Sequence, residues 1–182
     1  GKYSNGKTRR ARGIAHVPED RQREGLIMDY SAWENTAFGY HDDPAYQSGI
    51  FINNTAIRQN TEEKMARFDV RPPNSRLSAK NFSGGNQQKI VLAREIERNP
   101  NLLLIGQPTR GVDIGAIEFI HQQIVALRDQ GKAILLVSVE LEEILSLSDR
   151  VAVMFDGQIM GERAVGETNE KELGLMMAGV ET

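Results

Sequence analysis

Phosphate-binding chemistry is suggested most plainly at Asn81-Phe82-Ser83-Gly84-Gly85-Asn86-Gln87-Gln88-Lys89. A serine and two glycines open a segment that reads as a long helix running to about Arg98, where Asn99-Pro100 stops it. Because the glycines carry no side chains, an anion can approach the backbone N–H groups closely. The amino end of the helix adds roughly half a positive charge there. Alone, Ser-Gly-Gly describes an ordinary capped helix. The glutamine pair and lysine narrow the reading. So does an apolar strand about one helix later, which runs into Gly106-Gln107-Pro108-Thr109-Arg110-Gly111-Val112-Asp113.

Other residues invite chemistry and are better explained without it. Glu140, Glu142 and Glu143 form a carboxylate cluster that reads as a solvated helix face. Trp33 and Phe38 lie in a helical stretch and suit packing better than base stacking, and Met176 and Met177 suit packing of the tail. The basic group Lys7, Arg9, Arg10 and Arg12 reads as a solvated face. His16, His41 and His121 are too far apart in sequence to form a ligand spacing, and with no cysteine there is neither a disulfide framework nor a thiolate metal site.

The elements that must position the glycine-rich segment can be read coarsely. Residues 13–17 form a short strand entering the charged loop Pro18-Glu19-Asp20-Arg21-Gln22-Arg23-Glu24-Gly25. Residues 31–40 read as a helix, with Ser31 as cap and Glu34 three residues on. Residues 55–68 form a polar helix, and Pro72-Pro73 keeps residues 71–79 extended or looped. Continuous apolar runs at 102–105 and 133–138 predict parallel strands covered on both faces. Between them Ile117, Ile120, Ile124 and Leu127 repeat at helical spacing, and Gly131 closes the helix. A short helix over 140–147, a hairpin turning at Asp156-Gly157 and a helical tail over 169–178 complete the chain. Strands alternating with helices give an α/β fold with a parallel sheet.

The order of these motifs resembles the signature motif, degenerate Walker B strand and D-loop of ATP-binding cassette (ABC) ATPases. It is most similar to the second nucleotide-binding domain of the tandem ATPases that drive simple-sugar and nucleoside importers. Val17-Pro18-Glu19-Asp20-Arg21, the signature, and the run from Gln107 to Ala116 carry the resemblance. It implies a P-loop NTPase core fragment plus a helical subdomain. Residues 1–25 would hold the first strand and the Q-loop region, 26–82 the helical subdomain, and 83–182 the RecA-like core. ATP and Mg²⁺ are the cofactors implied for the full dimeric assembly. Ser83, Gly84 and Gly85 would contact the γ-phosphate of ATP held by the partner domain, with Gln87 supporting the loop. Glu19 takes the Q-loop position and Asp113 that of the D-loop aspartate.

The chain departs from the family at its own catalytic positions. Where the Walker B strand usually ends in Asp-Glu, Gly106 and Gln107 stand, and Val139 stands at the switch histidine. Glycine offers no ligand to the Mg²⁺ shell, and an amide cannot accept the proton of an attacking water. No catalytic residue is intact and no metal ligand is assigned. Gly1-Lys2-Tyr3-Ser4-Asn5-Gly6-Lys7-Thr8 matches the phosphate-loop pattern, but nothing precedes Gly1 and a strand follows too soon. The family also keeps its phosphate loop several tens of residues ahead of the charged loop. The match reads as coincidence, and the chain as lacking the Walker A lobe.

Composition is ordinary for a globular chain: 182 residues, 40% hydrophobic, 26% charged, net charge −3, which offers no argument for nucleic-acid binding. No apolar run approaches roughly 18 residues and no secretory signal opens the chain. The resemblance therefore implies a peripheral subunit on the cytoplasmic face of the inner or plasma membrane. Its partners would be a second nucleotide-binding domain, in the same polypeptide, and membrane-spanning permeases. A regulatory module that binds nucleotide without hydrolysis is the alternative. A soluble ABC protein of DNA repair or translation is a third reading, against which stands the absence of any sustained heptad.

Overall fold

The computed structural model describes residues 5–180 and divides into two compact units, residues 1–135 and 136–182. The first opens with α1 (Gly6–Ala11), then β1 (Ile14–Val17), a wide π-type turn (Arg21–Gly25) and α2 (Ala32–Ala37). A small hairpin of β2 (Gln47–Ser48) and β3 (Phe51–Ile52) precedes α3 (Asn54–Arg67). After an extended stretch come α4 (Gly84–Ile96), β4 (Leu102–Gly106), α5 (Ile114–Asp129) and β5 (Ala133–Val137). The strands form a sheet in the order β1-β4-β5. β1 and β4 run parallel in the register Ile14↔Leu102 to Val17↔Ile105.

The centre of this unit is α4. Gly85 and every residue from Gln87 to Glu95 are buried. A helix covered all round cannot rely on an amphipathic stripe, so its polar groups need internal partners. Arg94 donates from Nη1 to the carbonyls of Gly25 (2.8 Å) and Asn35 (3.3 Å) and pairs through Nε with Glu95 at 2.8 Å. Glu95 also accepts from the Tyr40 hydroxyl at 2.8 Å. Asn35, fully buried, locks the start of α2. Its Oδ1 accepts from Ile27 N at 2.7 Å, and its Nδ2 donates to the carbonyls of Ile27, Tyr30 and Ser31. The Ser31–Glu34 cap is present, the carboxylate accepting from the Ser31 N–H (2.8 Å) and hydroxyl (2.5 Å).

The second unit contains α6 (Leu141–Leu147), the antiparallel pair β6 (Arg150–Phe155) and β7 (Gln158–Ala164), and α7 (Glu170–Met177). Asp156 and Gly157, at φ 44° and 75°, make the left-handed turn that their sequence demands. Val151, Val153, Leu173 and Met176 form its core, with Leu141, Ile144 and Leu145 packed against them.

Three expectations are corrected, and two small elements are added. The strand over 133–138 is not buried: Leu135 and Val137 are 57% and 58% exposed, because an apolar run reports what a strand can bury, not what covers it. Phe38 does not pack. It falls at the C-cap of α2, just before Gly39 at φ 82°, and is half exposed. Glu143 is buried while Glu140 and Glu142 are exposed, burial being set by tertiary neighbours that local composition does not contain. Residues 26–82 include the β2–β3 hairpin, whose two-residue strands are too short to show any period. Helix α1 was also unforeseen. It is six residues long, capped by Asn5, and its Lys7, Arg9 and Arg10 are exposed.

Lys64 gives a pH handle on this unit. It is 5% exposed, donates to the Tyr46 hydroxyl at 3.3 Å, and burial lowers its ammonium to about 8 from 10.5, aided by Arg98 and opposed by Glu97, Asp43 and Glu95. The folded chain then binds fewer protons than the unfolded chain between those values, so stability rises with pH across that window. Tyr40 and Tyr46, pushed upward chiefly by burial, act in the opposite sense only above their ordinary value of 10.0. Urea titration is expected to show a gain on the order of 1–2 kcal/mol from this group between pH 7 and 9.5. Lys64→Met should lose that part of the slope, and an unchanged slope would refute the assignment.

Candidate functional site

The Ser-Gly-Gly segment forms the amino end of α4. Ser83 is exposed at the N-cap with extended backbone (φ −62°, ψ 161°). Its Oγ accepts from Asn86 Nδ2 at 2.8 Å and more distantly from Asn86 N at 3.4 Å. The first amides of the helix have no acceptor within it, which is what an anion site requires. Gln87, 3% exposed, ties the turn down. Its Nε2 donates to the carbonyls of Ala79 and Phe82 at 3.1 Å each.

The glycines are required by packing as well as by access. A Cβ on Gly84 would lie 2.6 Å from Arg21 Nη2 and 2.6 Å from the Gly111 carbonyl oxygen. One on Gly85 would lie 2.7 Å from Asp113 Oδ2 and 2.9 Å from Ala116 Cβ. The segment Arg110–Asp113 therefore runs directly against the turn at Ser83–Gly85. Asp113 itself caps α5, its Oδ1 accepting from Ala116 N at 2.9 Å.

Glu19, Gly106 and Gln107 come together at the carboxyl ends of β1 and β4. A Cβ on Gly106 would meet the Glu19 backbone nitrogen at 3.3 Å. Gln107 adopts φ 45°, a left-handed conformation uncommon outside glycine. Glu19 pairs with Arg110 at 2.8 Å, but both side chains are largely exposed, so this pair alone is worth little. Val139 belongs to the second unit and is 60% exposed. Of the eight-residue phosphate-loop pattern, Gly1–Ser4 lie outside the described residues. Gly6, Lys7 and Thr8 are helical, with Thr8 bonded back to Asn5. Among the described residues no group of three or more His, Asp or Glu is placed to hold a metal ion.

Beside the turn at Ser83–Gly85 a cleft of about 260 Å³ is lined by residues that include Asp69, Arg71, Asn86, Lys89 and Asp113. Its charges are largely satisfied. Lys89 donates to the Asp69 carbonyl at 3.0 Å and lies 4.8 Å from the centre of the Phe119 ring. The Asp69 carboxyl is held below its ordinary range, first by the hydrogen bond from Arg71 and then by the charges of Lys89 and Arg71.

A family model described as ABC transporter matches residues 3–110. The chain belongs to this family. Within the ABC family it is 48% identical to the nucleoside import ATP-binding protein NupA of Lactococcus lactis over 91% of its own length, and 46% identical to the guanosine import ATP-binding protein NupO of Bacillus subtilis over 92%. It spans about a third of the length of each, 33%. Among solved structures, the ATP-binding cassette MJ0796 bound to ADP and Pi superposes with a TM-score of 0.68 at 25% identity, covering 87% of this chain and 65% of that one. The fold is that of the ABC ATPases, a P-loop NTPase architecture with a parallel core and helices. No helix among the described residues is long and apolar enough to cross a membrane.

The residues that sequence reasoning missed are Arg21 and Gln22. Both lie in the charged loop, and Arg21 also ends the Val17–Arg21 run that carries the resemblance, but nothing in their spacing shows that they reach residues some 65 to 90 positions away. The close packing at the signature yields a sign test. Gly85→Ala is expected to lower stability by about 1–3 kcal/mol through overpacking. Gly115→Ala, whose Cβ meets only Asp113 Oδ1 at 3.5 Å, should raise stability by about 0.5–1 kcal/mol by restricting the unfolded chain. Denaturant midpoints compare the two. Equal effects would contradict the packing described.

Proposed function

We propose that this chain is the signature-bearing part of an ATP-binding subunit of an importer, with nucleosides as the substrate class, and that it serves as the second cassette of a tandem ATPase. The observation that carries the reading is the exposed Ser83 at the head of a largely buried helix, whose first amides have no acceptor within the helix. Ser83 Oγ and those amides would hold the terminal phosphate of ATP seated on the other cassette, and the bound nucleotide supplies the energy of phosphoryl transfer. Donors alone fit an anion, and the turn offers them. The names of the relatives support the import role and the nucleoside class. Residues 26–82 would form the lobe that meets the permease on the inner membrane face.

The cassette's own site is proposed to be degenerate. Gly106 brings no oxygen to a Mg²⁺ shell, and Gln107 brings an amide where a base is needed. The same two residues favour a second reading, a nucleotide-binding regulatory module without turnover.

The test is substrate uptake and ATP turnover by the full-length ATPase reconstituted with its permease. Ser83→Arg or Gly84→Asp puts bulk or negative charge where the phosphate must dock, and turnover is expected to fall on the order of a hundredfold or more. Gln107→Ala should stay within about twofold, because its amide has no proton-accepting role to lose. Turnover that survives Ser83→Arg but not Gln107→Ala would reverse the two assignments. Turnover indifferent to all three would favour the regulatory module, and uptake of simple sugars in place of nucleosides would overturn the substrate class.

A further inference from the structure

The turn after β1 reaches across to the two segments that build the phosphate site. Arg21 donates from Nη1 to the Arg110 carbonyl at 2.6 Å and from Nη2 to the Gly111 carbonyl at 3.1 Å. Successive carbonyls of an extended strand point in opposite directions. Here Gly111 takes φ 65°, which lets the carbonyls of residues 110 and 111 converge on one guanidinium. The planar fork suits such a pair, and a lysine ammonium, a single point of donation, does not. The same Nη2 fills the space beside Gly84, where a Cβ would stand 2.6 Å away. One residue on, Gln22 Nε2 donates to Gln87 Oε1 at 3.0 Å, reaching the side chain that ties down the signature turn. The turn is itself made stiff: Asp20 Oδ1 accepts from the backbone N–H groups of Gln22 (3.0 Å) and Arg23 (3.1 Å).

We infer that Arg21 is a positioning residue for the signature site. It clamps the carbonyls of residues 110 and 111 against Gly84, so that residues 19–22, the D-loop segment and the head of α4 move as one piece. Its partner in this is Gln22, which fixes the rotation of α4 through Gln87. The inference rests on the reading of Ser83 as a phosphate-holding residue, because the clamp matters to turnover only if that site does. The residue acts through its neighbours and need not touch the nucleotide. Motion of the loop after β1, at the Glu19 position, is then transmitted to the signature turn and to Asp113 without any change elsewhere in α4, whose body is buried on every side.

Two measurements separate the clamp from the function. In this chain, without nucleotide, hydrogen exchange of the Arg21→Ala and Gly111→Ala variants is expected to accelerate at least tenfold at residues 84–87 and 111–116. Exchange in β1 and β4 should change less than twofold. Arg21→Lys should resemble the alanine variant, and Arg23→Ala, at an 87% exposed side chain on the same turn, should resemble the parent. In the full-length ATPase with its permease, Arg21→Ala is expected to lower kcat at least tenfold while KM for ATP shifts less than threefold. Loss of folding would lower the amount of active enzyme, so active sites are titrated first, and Gly111→Ala supplies an independent route to the same clamp. Unchanged exchange at 84–87 and 111–116 in both variants overturns the clamp. Accelerated exchange with unchanged kcat, while Ser83→Arg abolishes turnover, overturns its role in turnover. Accelerated exchange with kcat indifferent to both Arg21→Ala and Ser83→Arg leaves the clamp standing and overturns the reading of the signature.

Discussion

One constraint organises the first unit: the body of α4 is buried on every side, while Ser83 at its amino end is exposed. A helix in that position has no solvent-facing stripe to absorb misfits. Arg94 and Glu95 are therefore held by internal partners, and Lys89 is stacked on Phe119 while bonded to the Asp69 carbonyl. The body of the helix is fixed from the sides, and only its head can present backbone amides. Ser83 caps that head, and the two glycines let it sit against Arg21, the Gly111 carbonyl and Asp113. Arg110–Asp113 pass directly against that amino end on the way from β4 into α5.

Much of this was legible from residue types and spacing. The Ser31–Glu34 pair and the Asp156-Gly157 turn each carry their geometry in a few neighbouring residues, and each appears where it was expected. The continuous run at 102–105 and the helical period of Ile117, Ile120, Ile124 and Leu127 likewise placed β4 and α5, with Ile120, Ile124 and Leu127 buried and Ile117 half-buried. What was not legible depends on distance in sequence. The two-residue strands of the hairpin show no period. The exposure of Leu135 and Val137 depends on what covers β5. Glu143 differs from Glu142 only in its tertiary neighbours.

The site divides along the same line. Ser83, Gly84 and Gly85 are contiguous and were read directly. That the glycines are also demanded by Arg21, the Gly111 carbonyl, Asp113 and Ala116 is a fact of packing. The role of Arg21 required knowing that β1 and β4 are adjacent and parallel, since this adjacency brings residue 21 to residues 110 and 111.

The meeting of Gly84, the Gly111 carbonyl and the Arg21 guanidinium also bears on how such a chain can drift. Every amino acid reachable from a glycine codon by a single base change carries a Cβ. No one-step substitution at Gly84 fits the space that exists, and at Gly111 each one meets a left-handed backbone. Gly106 differs. A Cβ there meets the Glu19 backbone at 3.3 Å, so a shift of a few tenths of an ångström would admit a side chain. The turn at Gly84 is walled in on the mutational landscape, while Gly106 stands beside an open door.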